Sequence, residues 1–158
     1  MNATFRTWPL SAILLALASA IIIGIGVYFI AFRPTFLPED VSYMQLTATE
    51  LSAMESRLAP WLARVYRVLG GYAAATGLLG VTLAATSFRK RHPVAFLGAL
   101  SGGIASIGLM AAVNVAIDSQ FKLPLLVLAV LWFASVITFV LEGVGSRKSS
   151  PNSQGMSR

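Results

Sequence analysis

The chain has 158 residues, 56% of them hydrophobic and only 11% charged, with a net charge of +6, one histidine and no cysteine. So much apolar surface exceeds what one small globular core can hide from water, which excludes a water-soluble domain and makes a bilayer the expected solvent. The absence of cysteine excludes disulfides, thiolate metal sites and cysteine nucleophiles, and a lone histidine excludes a multi-histidine metal site or paired haem ligands built from one chain.

Apolar runs at residues 8–32, 68–88, 94–117 and 123–144 approach or exceed the roughly 20 residues a helix needs to cross about 30 Å of hydrocarbon. They predict an all-α, polytopic membrane protein: a four-helix transmembrane bundle within residues 1–145, followed by a polar, serine-rich disordered cytoplasmic tail at 146–158. The first span opens at Trp8-Pro9, where proline is tolerated in the first turn, and stops before Arg33-Pro34 because the residue preceding a proline is pushed out of helical geometry. Ala18-Ser19-Ala20 behind Arg6 matches a signal-peptidase pattern, but the apolar run continues to Phe32 and reads as a retained anchor. Ala12, Ala16, Ala20 and Gly24 recur every four residues and predict a smooth stripe for close packing.

Residues 33–60 form a polar outside loop. Pro34 and Pro38 predict an extended start. Thr47-Ala48-Thr49-Glu50 is a capping box opening a short interfacial helix, with Leu51, Met54 and Leu58 on one face, and the chain turns inward beyond Pro60. There Arg64 and Arg67 lie three residues apart, and Trp61, Tyr66 and Tyr72 suit an interfacial belt. The stretch "FLPEDVSYMQLTATEL", followed by an arginine-bearing approach to Gly70-Gly71, resembles the outside loop of uncharacterised bacterial four-span integral membrane proteins, in which Leu-Pro-Glu-Asp precedes the second span. The resemblance covers residues 33–75. It implies a four-span bacterial membrane protein and carries no established activity. Members of that group place His-Asp-Arg before the glycines, where this chain has Arg64-Val65-Tyr66-Arg67.

The second span offers small residues at Ala73, Gly77, Gly80 and Ala84. The third offers Gly98, Gly102 and Ser106, with a further set at Ala99 and Gly103. The fourth is bulky almost throughout, so the first three spans are expected to pack closely and the fourth to face lipid. The stripes serve packing inside one bundle, or else a homodimer seam. Short connections around Arg89–Pro93 and Asp118–Lys122 make antiparallel hairpins. With both termini cytoplasmic, seven bases and one acid lie inside and five of each outside; Arg89, Lys90 and Arg91 in a tight loop decide the orientation. The same cluster predicts contact with anionic lipid headgroups rather than nucleic acid.

Asn114 and Asp118, four residues apart at the end of the third span, lie at the depth of Arg64 and Arg67. These four predict an outer-leaflet polar cluster lidded by the interfacial helix and able to hold a lipid headgroup or small anionic ligand. The competing reading is an Arg67–Asp118 ion pair, with Arg64 snorkelling to phosphates. No catalytic, cofactor or metal motif stands out. His92 sits beside Arg91 in the basic loop, the adjacent acids Glu39-Asp40 suit shaping a turn or loosely binding a cation more than general acid/base work, and no serine has a recognisable base partner. Intramembrane serines and threonines more commonly bond their own helix, and Trp132-Phe133 suits packing. An ion-coupled carrier wants an ionisable group at the bilayer centre, and the spans hold none there. The expected role is a non-enzymatic inner-membrane protein of accessory or interaction type, with lipid, a second copy or another membrane protein as partner. The alternative is a small-molecule carrier or channel acting as an oligomer.

Overall fold

The computed structural model describes residues 8–148, and every regular element among them is helical. Helix α1 runs Leu10–Ala31, α2 Pro38–Met44, and α3 Ala48–Leu83, continuing through a π-helical turn at Ala84–Phe88. Helix α4 (Pro93–Gly103) joins α5 (Leu109–Ala116) through a second π turn at Ile104–Gly108, and α6 covers Lys122–Lys148. Four helices are long and apolar enough to cross a membrane: Leu10–Ala31, Ala48–Phe88, Pro93–Ala116 and Lys122–Gly145. In hydrocarbon every backbone N–H and C=O must be satisfied within its own segment, which is why the apolar runs are helices and not strands or loops. Their outward faces carry exposed Ile13, Leu17, Leu79, Val127 and Ile137, a surface that suits lipid and not water. The protein is an all-α membrane bundle.

The bundle departs from the sequence-based expectations in four places. First, the interfacial helix does not stop at Pro60. The capping box forms as expected, with Thr47 N–H donating to Glu50 Oε2 at 2.9 Å and Glu50 N–H to Thr47 Oγ1 at 3.3 Å. From there α3 runs 36 residues unbroken through Pro60. Proline removes one helical hydrogen bond and orphans the carbonyl four residues back. Here that carbonyl belongs to exposed Ser56, where water can reach it. With its π turn the helix spans 41 residues, about 60 Å, roughly twice the hydrocarbon thickness. Its N-terminal part therefore stands outside the bilayer.

Second, Pro38 starts helix α2 instead of extending a loop. It occupies the first turn, where its missing N–H costs nothing, and Asp40 Oδ2 accepts the Leu37 N–H at 3.0 Å. Glu39 and Asp40 in that turn also complement the helix dipole.

Third, the close-packed line on α1 is not the predicted one. Ala12 is buried, but Ala20 and Gly24 are exposed. Backbones meet instead where Ser19 and Gly26 face Gly70, Gly77 and Gly80 of α3. A Cβ on Gly26 would stand 2.7 Å from the Gly70 carbonyl oxygen, and one on Gly77 would stand 2.6 Å from that of Ser19.

Fourth, α6 does not show more surface to lipid than the other spans: it is as buried as the first and third and more so than the second. Leu125, Leu128, Ala129, Trp132, Ser135, Val136 and Phe139 are all buried. Helix α1 packs chiefly on α3 and next on α6, while α4 and α5 both pack on α6 and α4 also touches α3. Trp132 fills the middle: its indole N–H donates to the Ala99 carbonyl at 2.8 Å, and the ring takes the space that a side chain at Gly103 would need. Helix α6 extends to Lys148, into the segment expected to be tail; residues 149–158 lie outside the described residues.

Gly77→Leu should overpack the α1–α3 contact and cost about 1–3 kcal/mol or more. At Gly71 no atom lies within 4 Å of an added Cβ, and Gly71→Leu should change stability by no more than about 0.5 kcal/mol. Thermal melting in detergent reads both, and equal effects would contradict this packing.

Candidate functional site

Because α1 and α5 both rest on α6 without packing extensively on each other, a cleft of about 540 Å³ opens between them. Its walls are Ile21, Gly24, Ile25 and Tyr28 from α1, Met110 and Asn114 from α5, and Leu125 from α6. The spacings of three and four residues put each set on one helix face. Gly24 widens the space, since nothing lies within 4 Å of where its Cβ would be. The volume falls in the roughly 300–1,000 Å³ range of small-molecule sites. One end of the cleft is closed by Arg33, Leu37, Glu39 and Asp40, and the polar groups concentrate there.

At this cap end Arg33 is committed to the protein. Its Nη2 lies 3.4 Å from Asp40 Oδ2, its Nη1 donates to the Pro34 carbonyl at 3.2 Å, and the guanidinium stacks 3.7 Å from the Tyr66 ring centroid. Glu39 is held differently. Its Oε1 accepts a 3.2 Å bond from the hydroxyl of buried Ser119, and among the described residues no cation pairs with it. The end of α5 places Ser119: Asp118 takes a left-handed conformation (φ 52°), its N–H bonds back to the Val115 carbonyl at 3.2 Å, and the Ser119 N–H reaches the Asn114 carbonyl at 2.9 Å. This is a Schellman-type closure, and aspartate tolerates the left-handed region better than most residues. The Asn114 amide donates to the Met110 carbonyl at 2.9 Å.

The four residues expected to form a polar cluster are not gathered. Asn114 lines the cleft. Asp118 is paired with Lys122 one helical turn on, not with Arg67, and that hydrogen bond and charge hold its carboxyl below the usual carboxylate range. Arg64 and Arg67 are exposed on α3, with Arg64 Nη1 donating to the Pro60 carbonyl at 3.4 Å. The reason is which helices meet: α3 packs on α1 and reaches the third span through α4, while α5 packs on α6 and makes no comparable contact with α3. Sequence reasoning missed Arg33 and Ser119, and weighed Glu39 only with Asp40 as a turn former or loose cation ligand, apart from any cleft. The available signal was a base and two acids of opposite sign within eight residues of one short loop.

At the opposite end the basic loop is only partly free for headgroups. Arg91 Nη1 lies 2.7 Å from Glu142 Oε2, its Nη2 donates to the Phe139 carbonyl, and its guanidinium lies 4.4 Å from the Phe139 ring centroid. Glu142 also accepts the Ser11 hydroxyl at 2.7 Å and the Ser11 N–H at 3.3 Å, so its charge sits at the N-terminus of α1. Arg91 thus ties the starts of α1 and α4 to the end of α6. It does so from a left-handed backbone (φ 64°), which costs about 1–2 kcal/mol for a residue with a Cβ. Arg89 lies 5.3 Å from the Trp8 ring centroid, and Lys90 is exposed.

In comparisons with known proteins, no family model, no curated protein and no solved structure matches this chain. Its functional reading therefore rests on the cleft and its rim.

Arg91→Leu and Glu142→Gln should each lower stability by about 1–3 kcal/mol. In the double mutant the two losses should couple by at least about 0.5 kcal/mol. Lys90→Ala should leave melting unchanged. Additive losses would show that the pair does not act as one unit.

Proposed function

We propose that the protein is an accessory, non-enzymatic component of a bacterial inner membrane that holds a lipid or another amphiphile in the cleft beneath α2. The observation that carries this reading is the distribution of polarity. The cleft is apolar along the membrane-embedded helices and polar only at the end where α2 closes it. A molecule with a hydrocarbon body and a polar head matches that gradient, whereas a wholly polar solute would leave its groups unpaired along most of the walls.

The basic residues favour an orientation with both termini in the cytoplasm. The cap end then faces outward and the head lies at the level of the outer leaflet. A role in holding, rather than carrying, is favoured by the arrangement of ionisable groups: Arg33, Glu39 and Asp40 gather at the cap end, and Glu142 is engaged at the other.

Gly24→Phe supplies the test, because no atom lies within 4 Å of the added Cβ and the residue lines the cleft that the ring would occupy. Protein purified from native membranes in mild detergent should carry a bound amphiphile by native mass spectrometry. Gly24→Phe should lose it while melting as the wild type does. Equal lipid content in the two proteins would reject the cleft as the binding place. Flux in proteoliposomes above that of empty vesicles would favour a carrier instead.

A further inference from the structure

We infer that the amphiphile held in this cleft ends in a primary ammonium group, and that Glu39 is its counter-ion. This inference rests on the cleft reading above and adds the chemistry of the head. Three ionised side chains line the cleft: Arg33, Glu39 and Asp40. Arg33 and Asp40 are paired with each other, and the rest of the Arg33 guanidinium is taken up by the Pro34 carbonyl and the face of Tyr66. An incoming anion finds no free cation there and meets two carboxylates, an unfavourable juxtaposition at low dielectric.

Glu39 is the group left over. Among the described residues its one bond comes from the neutral Ser119 hydroxyl, on Oε1, and none donates to Oε2. Lys122, three residues beyond Ser119, is bonded to Asp118 and does not serve Glu39. A partly enclosed carboxylate without a cationic partner gains most from a ligand that brings both charge and donors. An ammonium offers three N–H donors for Glu39 Oε2, and the same cleft is lined by Asn114, whose amide nitrogen already donates to Met110 and whose side-chain oxygen is an acceptor. Tyr28 and Phe121 also line the cleft, and an aromatic ring attracts a cation to its face. A neutral head can accept or donate to the same groups but leaves the charge of Glu39 uncompensated.

The shared chemistry, an alkyl chain ending in a primary ammonium, is carried by free long-chain amines and by ethanolamine phospholipids. The test uses native mass spectrometry of delipidated protein incubated with dodecylamine, dodecanol or dodecyl phosphate. Parallel arms use lyso-phosphatidylethanolamine and lyso-phosphatidylglycerol. Wild-type protein should retain dodecylamine at least about tenfold better than dodecyl phosphate, the scale of one hydrogen bond to a charged group. Glu39→Gln keeps an acceptor for Ser119 and should abolish that preference. Glu39→Ala should do the same, and it substitutes if the glutamine variant melts early.

Retention of lyso-phosphatidylethanolamine over lyso-phosphatidylglycerol supports the inference with a phospholipid as source. Retention of dodecylamine alone supports it with a free amine. A preference that survives in both Glu39 variants, or a wild-type preference for the phosphate, overturns the head-group assignment and leaves the cleft reading standing. Undiminished binding of every probe to Gly24→Phe overturns the cleft reading itself.

Discussion

Lipid tails are as apolar as leucine, so no hydrophobic force draws these helices together and backbone approach decides the shape of the bundle. The closest approach runs along Ser19 and Gly26 of α1 and Gly70, Gly77 and Gly80 of α3, where side chains larger than hydrogen or a hydroxymethyl would collide. That contact fixes which face of α1 remains for α6. Helix α6 then presents its bulky residues both ways, to α1 and to α4 and α5, with Trp132 filling the middle. Helices α1 and α5 both rest on α6 without packing extensively on each other, and the space between α1 and α5 over Leu125 is the cleft. A feature that looks like a site is thus a consequence of where the glycines of a different helix pair lie.

The two ends of the bundle each carry an ionic cluster, and they differ in completeness. At one end Glu142 is answered by Arg91 and by two donors from Ser11, which ties together segments far apart in sequence. Such a cluster is saturated and does structural work. It also holds Arg91 in a left-handed conformation that the backbone alone disfavours. At the cap end the Arg33–Asp40 pair is likewise satisfied and anchors the start of α2, but Glu39 retains an oxygen with no donor among the described residues, beside an open apolar cleft. Unsatisfied polar capacity next to a cavity is where a ligand gains most, and the difference between the two ends separates scaffold from candidate site.

Much of the architecture could be read from residue order. Span number, the two tight hairpins and the Thr47–Glu50 cap follow from run length, charge placement and local hydrogen-bonding patterns, all short-range properties. Helix order did not follow. An i, i+4 stripe such as Ala12-Ala16-Ala20-Gly24 states that close packing is sterically allowed, not which helix exploits it, and Gly24 ended in the cleft wall. The bulk of α6 pointed to lipid because apolar side chains suit lipid and protein interior equally well. Pro60 looked like a break because its missing hydrogen bond is costly in the middle of a packed helix; the exposure of Ser56 and Pro60 that lowers this cost is a tertiary fact. The predicted polar cluster failed for the same reason as the helix order. Arg64, Arg67, Asn114 and Asp118 share a depth but not a side of the bundle.

The central claim, that α1 and α5 stand apart over α6 and enclose a space shaped for an amphiphile, is tested most directly by a high-resolution cryo-EM map of the protein in native-lipid nanodiscs. The account predicts elongated density between Gly24 and Asn114, with its polar end beside Glu39. A map in which α1 packs directly against α5, leaving no space between them, would contradict it.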